Sequence, residues 1–102
     1  MSNKSFGLNK ERELKKIFLN KGALEVVRAR GSFGKFDIIV FWKDIVELVS
    51  VKATKRKYYS EVGECKKISK VQVPKGVYKS LYVYYAPNKE RNFKGWKCVP
   101  VK

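Results

Sequence analysis

Residues 36–52 read FDIIVFWKDIVELVSVK. Two apolar runs, Phe36 to Trp42 and Ile45 to Lys52, flank the polar pair Lys43-Asp44. Runs this short, rich in Val, Ile and aromatic residues, predict two strands joined by a tight turn. The charges are oddly placed for a hydrophobic hairpin. Asp37 opens the first run and Lys52 closes the second. With the turn at Lys43-Asp44, Asp37 falls across from residues 50 to 52. Alternation puts Ser50 and Lys52 on one face with Leu48 behind them, and Glu47 on the other. A carboxylate, a hydroxyl and an ammonium therefore meet at one end of the hairpin.

The flanking sequence extends this pattern. Leu8 to Lys21 is helical in period, with Leu8, Leu14, Phe18 and Leu19 on one arc, Ile17 at its edge, Asn9 as N-cap and Gly22 as the stop. Glu11 falls inside that apolar arc and needs a partner there, because an unpaired buried charge is costly. Ala23 to Arg30 reads as a strand, which makes an antiparallel meander with the hairpin. Gly31 to Lys35 is a loop, and Lys55 to Tyr59 is a basic, aromatic one. Ser60 caps a second helix running to about Val71, with Val62, Cys65, Ile68 and Ser69 inward. Val77 to Ala86 and Phe93 to Val101 are two further strands. Both faces of Val77 to Ala86 are apolar, which implies cover by a helix on one side and a partner subunit on the other. The order αβββαββ predicts one domain over residues 1–102, an α/β fold near the α+β boundary, with a five-stranded mixed sheet flanked by two helices.

Charge narrows the partners. Lys and Arg number 24 against 9 acids, a formal charge of +15 on 102 residues. Such an excess repels itself unless something negative binds it, and nucleic acid is the expected partner. A lysine-rich protein adapted to heat is the reading that needs no partner. No histidine is present, which excludes histidine catalysis and histidine-bearing zinc sites. Cys65 and Cys98 read as buried free thiols, with a disulfide between them left open. No apolar run is long enough for a membrane span, and the start lacks a signal-peptide core, so a cytoplasmic protein is expected.

Asp37, Ser50 and Lys52, with Glu11 brought over by the first helix, suit metal-dependent phosphodiester hydrolysis. Carboxylates hold Mg²⁺ or Mn²⁺, and a lysine orients the phosphate. The chain resembles the PD-(D/E)xK nuclease superfamily, with its restriction-endonuclease-like fold, and within it the archaeal Holliday junction resolvases. The resemblance runs from about Gly7 to Val101. It rests on Lys10-Glu11-Arg12-Glu13-Leu14 in the first helix, Lys21-Gly22, Val26-Val27-Arg28, the Gly31-Ser32 loop, Phe36-Asp37-Ile38-Ile39, Ser50-Val51-Lys52 and the closing Trp96-Lys97-Cys98-Val99-Pro100. It implies that Glu11 and Asp37 are metal ligands, that Lys52 assists attack, that branched DNA is the substrate, and that the protein is a homodimer matching a two-fold junction. The Gly31 to Lys35 loop would touch DNA. Arg28, Arg30, Ser32, Lys35, Lys55, Arg56 and Lys57 would contact phosphates without reading sequence. No small-molecule cofactor is implied.

Two residues depart from the family pattern. Phe36 stands where the proline of PD would be, which alters backbone preference and no chemistry. Ser50 stands where the E of E-x-K would be, which removes one anionic ligand. Three readings follow. A glutamate on the next helix, Glu61 or preferably Glu64, replaces it, as in superfamily members with S-x-K; Glu11 and Asp37 suffice with waters; or the protein is a degenerate relative that binds without cutting. A basic RNA-binding or interaction domain is a further class, but it leaves Glu11 unexplained. Each residue also has a plain structural reading. Glu11 can pair with Arg28 or Lys52, Asp37 can bond backbone amides, Glu64 can pair with Lys67, and Tyr58 and Tyr59 can pack onto the sheet.

Overall fold

The computed structural model describes the backbone of residues 3–29, 36–55, 59–87, 89 and 94–101, with side chains from residue 9 onward. Helix α1 (Asn3–Asn20) leads into strands β1 (Glu25–Arg28), β2 (Ile38–Phe41) and β3 (Val46–Thr54). Helix α2 (Glu61–Ser69) and strands β4 (Val77–Tyr85) and β5 (Gly95–Val101) follow. The strands lie in chain order, antiparallel except for the parallel β3–β4 pair, whose crossover is α2. The expected αβββαββ order and five-stranded mixed sheet are therefore present.

Each helix covers one face of the sheet. Leu14 and Phe18 of α1 are buried against Val26, Ile38, Val40 and Val49. On the other face Ile68 of α2 is buried with Phe36, Leu81, Val83 and Tyr85. Alternation along β4 explains the division, since Tyr82 meets Phe18 edge-on at 5.1 Å while its neighbours Leu81 and Val83 meet Ile68. The apolar character of both faces of β4 is thus met within the chain, and this strand does not itself call for a second subunit.

Helix α1 ends as its sequence predicts. Gly22 takes φ +104°, its amide donates to Leu19 O at 3.2 Å, and the Ala23 amide donates to Phe18 O at 3.1 Å. These are the paired bonds of a Schellman motif, which a glycine at positive φ permits without steric cost. The start differs from expectation. The helix begins at Asn3, so Asn9 is an interior, exposed residue and not the N-cap. Its early turns are largely polar and give no hydrophobic period to read.

In α2, Ser60 is the cap, its Oγ accepting from the Gly63 amide at 3.2 Å. Of the four residues expected inward only Ile68 is fully buried. Cys65 is half-buried, Ser69 is exposed and Val62 is 67% exposed. A three-residue spacing drifts by about 60° per step, so Val62 lies about 120° round the helix from Ile68. Leu19 of α1 is likewise exposed. Both cysteines are free thiols, but neither is buried, and Cys98 is exposed on the edge strand β5. No helix among the described residues is long and apolar enough to cross a membrane.

Candidate active site

The β2–β3 ladder pairs Phe41 with Val46 and Ile38 with Val49. At Asp37 it breaks. The Asp37 amide donates to Val49 O at 2.8 Å, so two successive residues, Asp37 and Ile38, address one residue of β3. This is the arrangement of a β-bulge. Side-chain parity confirms it, because Phe36 and Ile38 would share a face in a regular strand. Instead Phe36 packs on the α2 side and Ile38 on the α1 side.

The bulge explains how Asp37 is held. The Val51 amide, which a continuing ladder would give to the backbone of this strand, donates instead to Asp37 Oδ2 at 2.7 Å. The carboxylate is thereby pinned between β2 and the Ser50-Val51-Lys52 stretch. Burial raises its pKa above the ordinary aspartate value, and the Glu64 carboxylate pushes the same way. The Val51 hydrogen bond and the Lys52 charge oppose the rise without cancelling it. Two carboxylates from different elements thus act on each other beside a lysine.

Glu61 and Glu64 both project from the first turn of α2, but they differ in commitment. Glu61 accepts a hydrogen bond from the Tyr85 hydroxyl and pairs with Lys97 at 2.9 Å. Burial alone would raise its pKa, yet these two contacts outweigh burial and hold it below the usual glutamate value. Glu64 has a looser pairing, to Lys67 at 3.7 Å. Of the two, Glu64 is the one that acts on Asp37.

Glu11 faces the sheet from α1 and meets Arg28 Nε at 3.6 Å. Arg28 lies on β1 opposite Ile38, one residue from Asp37 along β2, which brings Glu11 to the same end of the sheet. Arg28 is therefore the partner that the apolar-arc position of Glu11 demanded. Ser50 sits in the β3 row beside Leu81 and is 1% exposed, and its Oγ has no hydrogen-bond partner among the described residues. Lys52, beside Val83, shares that face, as alternation predicts. Lys55 is exposed. Arg30, Ser32, Lys35, Arg56 and Lys57 lie outside the described residues. Among the described residues no group of three or more acidic or thiol side chains could together hold a metal ion.

A family model described as "Archaeal holliday junction resolvase (hjc)" matches residues 2–97. The chain belongs to that family. The match spans both helices, strands β1 to β4 and the beginning of β5. Comparison with curated proteins gives no match. The family is one of nucleases that act on Holliday junctions, and the strongly basic composition of this chain agrees with a nucleic-acid partner.

Sequence reasoning did not foresee three features of this end: the bulge, the commitment of Glu61 to Tyr85 and Lys97, and a buried Tyr59 hydroxyl without a hydrogen-bond partner. The bulge carried no sequence signal, because only packing shows that Phe36 and Ile38 lie on opposite faces. Tyr59 packs onto the α2-side core, as its plain reading had it, while Tyr58 lies outside the described residues.

Proposed function

We propose that this chain binds branched duplex DNA and hydrolyses a phosphodiester at the Asp37 end of the sheet, with Asp37 and Glu64 as the carboxylates that take a divalent cation. The observation that carries the reading is the bulge that points Asp37 at Ser50-Val51-Lys52, where burial first, and the Glu64 charge after it, raise its pKa. Two carboxylates that disfavour each other's charge are relieved by a cation, and Mg²⁺ sites that use one or two carboxylates with water and phosphate oxygens are common. The donor set therefore fits Mg²⁺ or Mn²⁺, which would supply an activated water and neutralise charge on the phosphate.

The chain's own residues do the rest. Lys52 presents its ammonium to a phosphate oxygen beside Asp37. The Val51 amide keeps the Asp37 carboxylate oriented. Glu11 fixes Arg28 next to the site and is the acid available from the α1 side. Arg28 and Lys55 offer phosphate contacts, and Arg30, Ser32, Lys35, Arg56 and Lys57, near them in sequence, are the further cations and hydroxyl proposed to contact DNA. A two-fold dimer places two such sites on the two symmetric strands of a junction, and the protein acts in the cytoplasm.

A second reading is a relative that binds junctions without cutting them. It is favoured by the buried hydroxyl of Ser50 where an acid is expected, and by the lack of a three-acid group among the described residues. Cleavage of a synthetic four-way junction in Mg²⁺ or Mn²⁺ separates the two. Under the first reading the wild type cuts, while Asp37→Ala and Glu64→Gln do not. Salt-sensitive junction binding with no cleavage by the wild type, and a gain of cleavage in Ser50→Glu, would establish the second. Cutting that survives Asp37→Ala refutes the site.

A further inference from the structure

Ser50 raises a question that the site alone does not answer. If Glu64 replaces the missing acid, its half-buried side chain must turn from Lys67 and settle beside Asp37, and something must hold it there. A strand carboxylate is fixed by its own ladder, but a helix carboxylate swings on a longer, freer stem. The structure contains a candidate for that hold in the hydroxyl of Tyr59.

Tyr59 precedes the Ser60 cap of α2, and its backbone oxygen accepts from the Glu61 amide at 3.0 Å. Its ring packs into the α2-side core, the cluster that includes Phe36, the residue before Asp37. Tyr59 thus shares a core with the residue before Asp37 and stands at the start of the helix that carries Glu64. Its hydroxyl is buried without a hydrogen-bond partner among the described residues. An unpartnered buried hydroxyl in a folded protein needs an explanation, since leaving it unmade costs stability. Tyr85, its neighbour in the same core, has its hydroxyl satisfied by Glu61. The two glutamates of the first turn are thus matched by two tyrosines, and only the second pairing is open.

We infer that Tyr59 is a positioning residue whose hydroxyl donates to the Glu64 carboxylate when that side chain turns from Lys67 toward Asp37. The inference rests on the reading of Glu64 as a cation ligand. Burial and then the Glu64 charge raise the Tyr59 pKa, as befits a phenol that stays protonated and serves as a donor. With Ser60 as the cap and the Glu64 amide donating to Ser60 O at 3.3 Å, Tyr59 and Glu64 hold the N′ and N4 positions, whose side chains meet at the start of a helix. Outer-shell donors of this kind orient ligating carboxylates, and their loss commonly weakens metal binding by about 10- to 100-fold.

The test measures Mn²⁺ affinity of DNA-free protein, by calorimetry and by the free-ion paramagnetic signal, in wild type, Tyr59→Phe, Glu64→Gln and the double variant. Tyr59→Phe is expected to weaken Mn²⁺ binding by about tenfold or more. In the Glu64→Gln background the same substitution is expected to change nothing further, because Tyr59 acts through Glu64. A Tyr59→Phe protein that binds Mn²⁺ as the wild type does, while Glu64→Gln is impaired, overturns the role of Tyr59 and leaves the cation site standing. An undiminished Tyr59→Phe effect in the Glu64→Gln background also overturns it, since it marks a purely structural role. Unchanged affinity in Glu64→Gln overturns the ligand reading and this inference together. Should Tyr59→Phe fold poorly, the Cζ resonance of Tyr59 in the wild type decides. It is expected to move on Mg²⁺ addition and to stay fixed in Glu64→Gln, and a resonance indifferent to Mg²⁺ in the wild type refutes the contact.

Discussion

The bulge at Asp37 makes a prediction that separates its structural part from its chemical one. Asp37→Ala removes the acceptor of the Val51 amide, which is bonded at 2.7 Å in a part-buried setting. An amide left without a partner there costs about 1–3 kcal/mol. For a domain of about this length each kcal/mol moves Tm by about 4–8 °C, so the expected fall is roughly 5–20 °C. Asp37→Asn keeps a carbonyl oxygen at the same place and can still accept from Val51. Both substitutions delete the charge that Glu64 and burial disfavour, so that benefit cancels between them. Their difference therefore isolates the hydrogen bond. Thermal melts of the three proteins in chelator-treated buffer give the answer, with Asp37→Asn within about 1 kcal/mol of the wild type. Both variants lose junction cleavage. If Asp37→Ala and Asp37→Asn melt together, the carboxylate does not hold the strand end, and the account of the bulge is wrong.

Three further outcomes follow from the same contacts. The folded state raises the Asp37 pKa, so its favourable contribution is present below the ordinary aspartate range and is lost as pH rises through the raised value. Metal-free Asp37→Asn should gain on the wild type at neutral pH, with the gap closing on acidification in urea titrations; a gap that opens instead contradicts the shift. Restoring the family proline with Phe36→Pro should cost about 3–5 kcal/mol, because Phe36 is 2% exposed within the α2-side core, and a variant as stable as wild type in denaturant would show that core to be dispensable. Lys79 is buried and donates to Ile68 O, Ser69 O and Val71 O at 3.4, 3.1 and 2.8 Å, tying down the end of α2. Lys79→Met should destabilise the domain by about 2–3 kcal/mol and speed amide exchange in α2, and unchanged exchange would mean that the helix is held by packing alone.

The hairpin, its turn, the stop at Gly22 and the Ser60 cap were all legible, because each is a local event written in neighbouring residues. Leu14, Phe18 and Ile68 were legible as core for the same reason. The start of α1 was not, since polar turns carry no period, and Val62 misled because three-residue spacing over a short helix drifts off the buried face. Asp37 and Lys52 stood out in the sequence because charge at the ends of apolar strands has no packing use. Glu11 stood out for the same reason, and Arg28 is its answer.

The sequence by itself determined the element order, the family and the meeting of Asp37 with the Ser50-Val51-Lys52 stretch, since period, spacing and charge are properties of the chain. Only the tertiary structure decided how that meeting is built. A bulge is a defect in register between two strands, and register exists only once they pair. Whether Glu61 or Glu64 faces Asp37 depends on Tyr85 and Lys97, which lie far along the chain and reach the first turn of α2 only through the sheet. Two glutamates three residues apart read alike in sequence. Their partners, brought by β4 and β5, make one a structural anchor and leave the other free to act on Asp37.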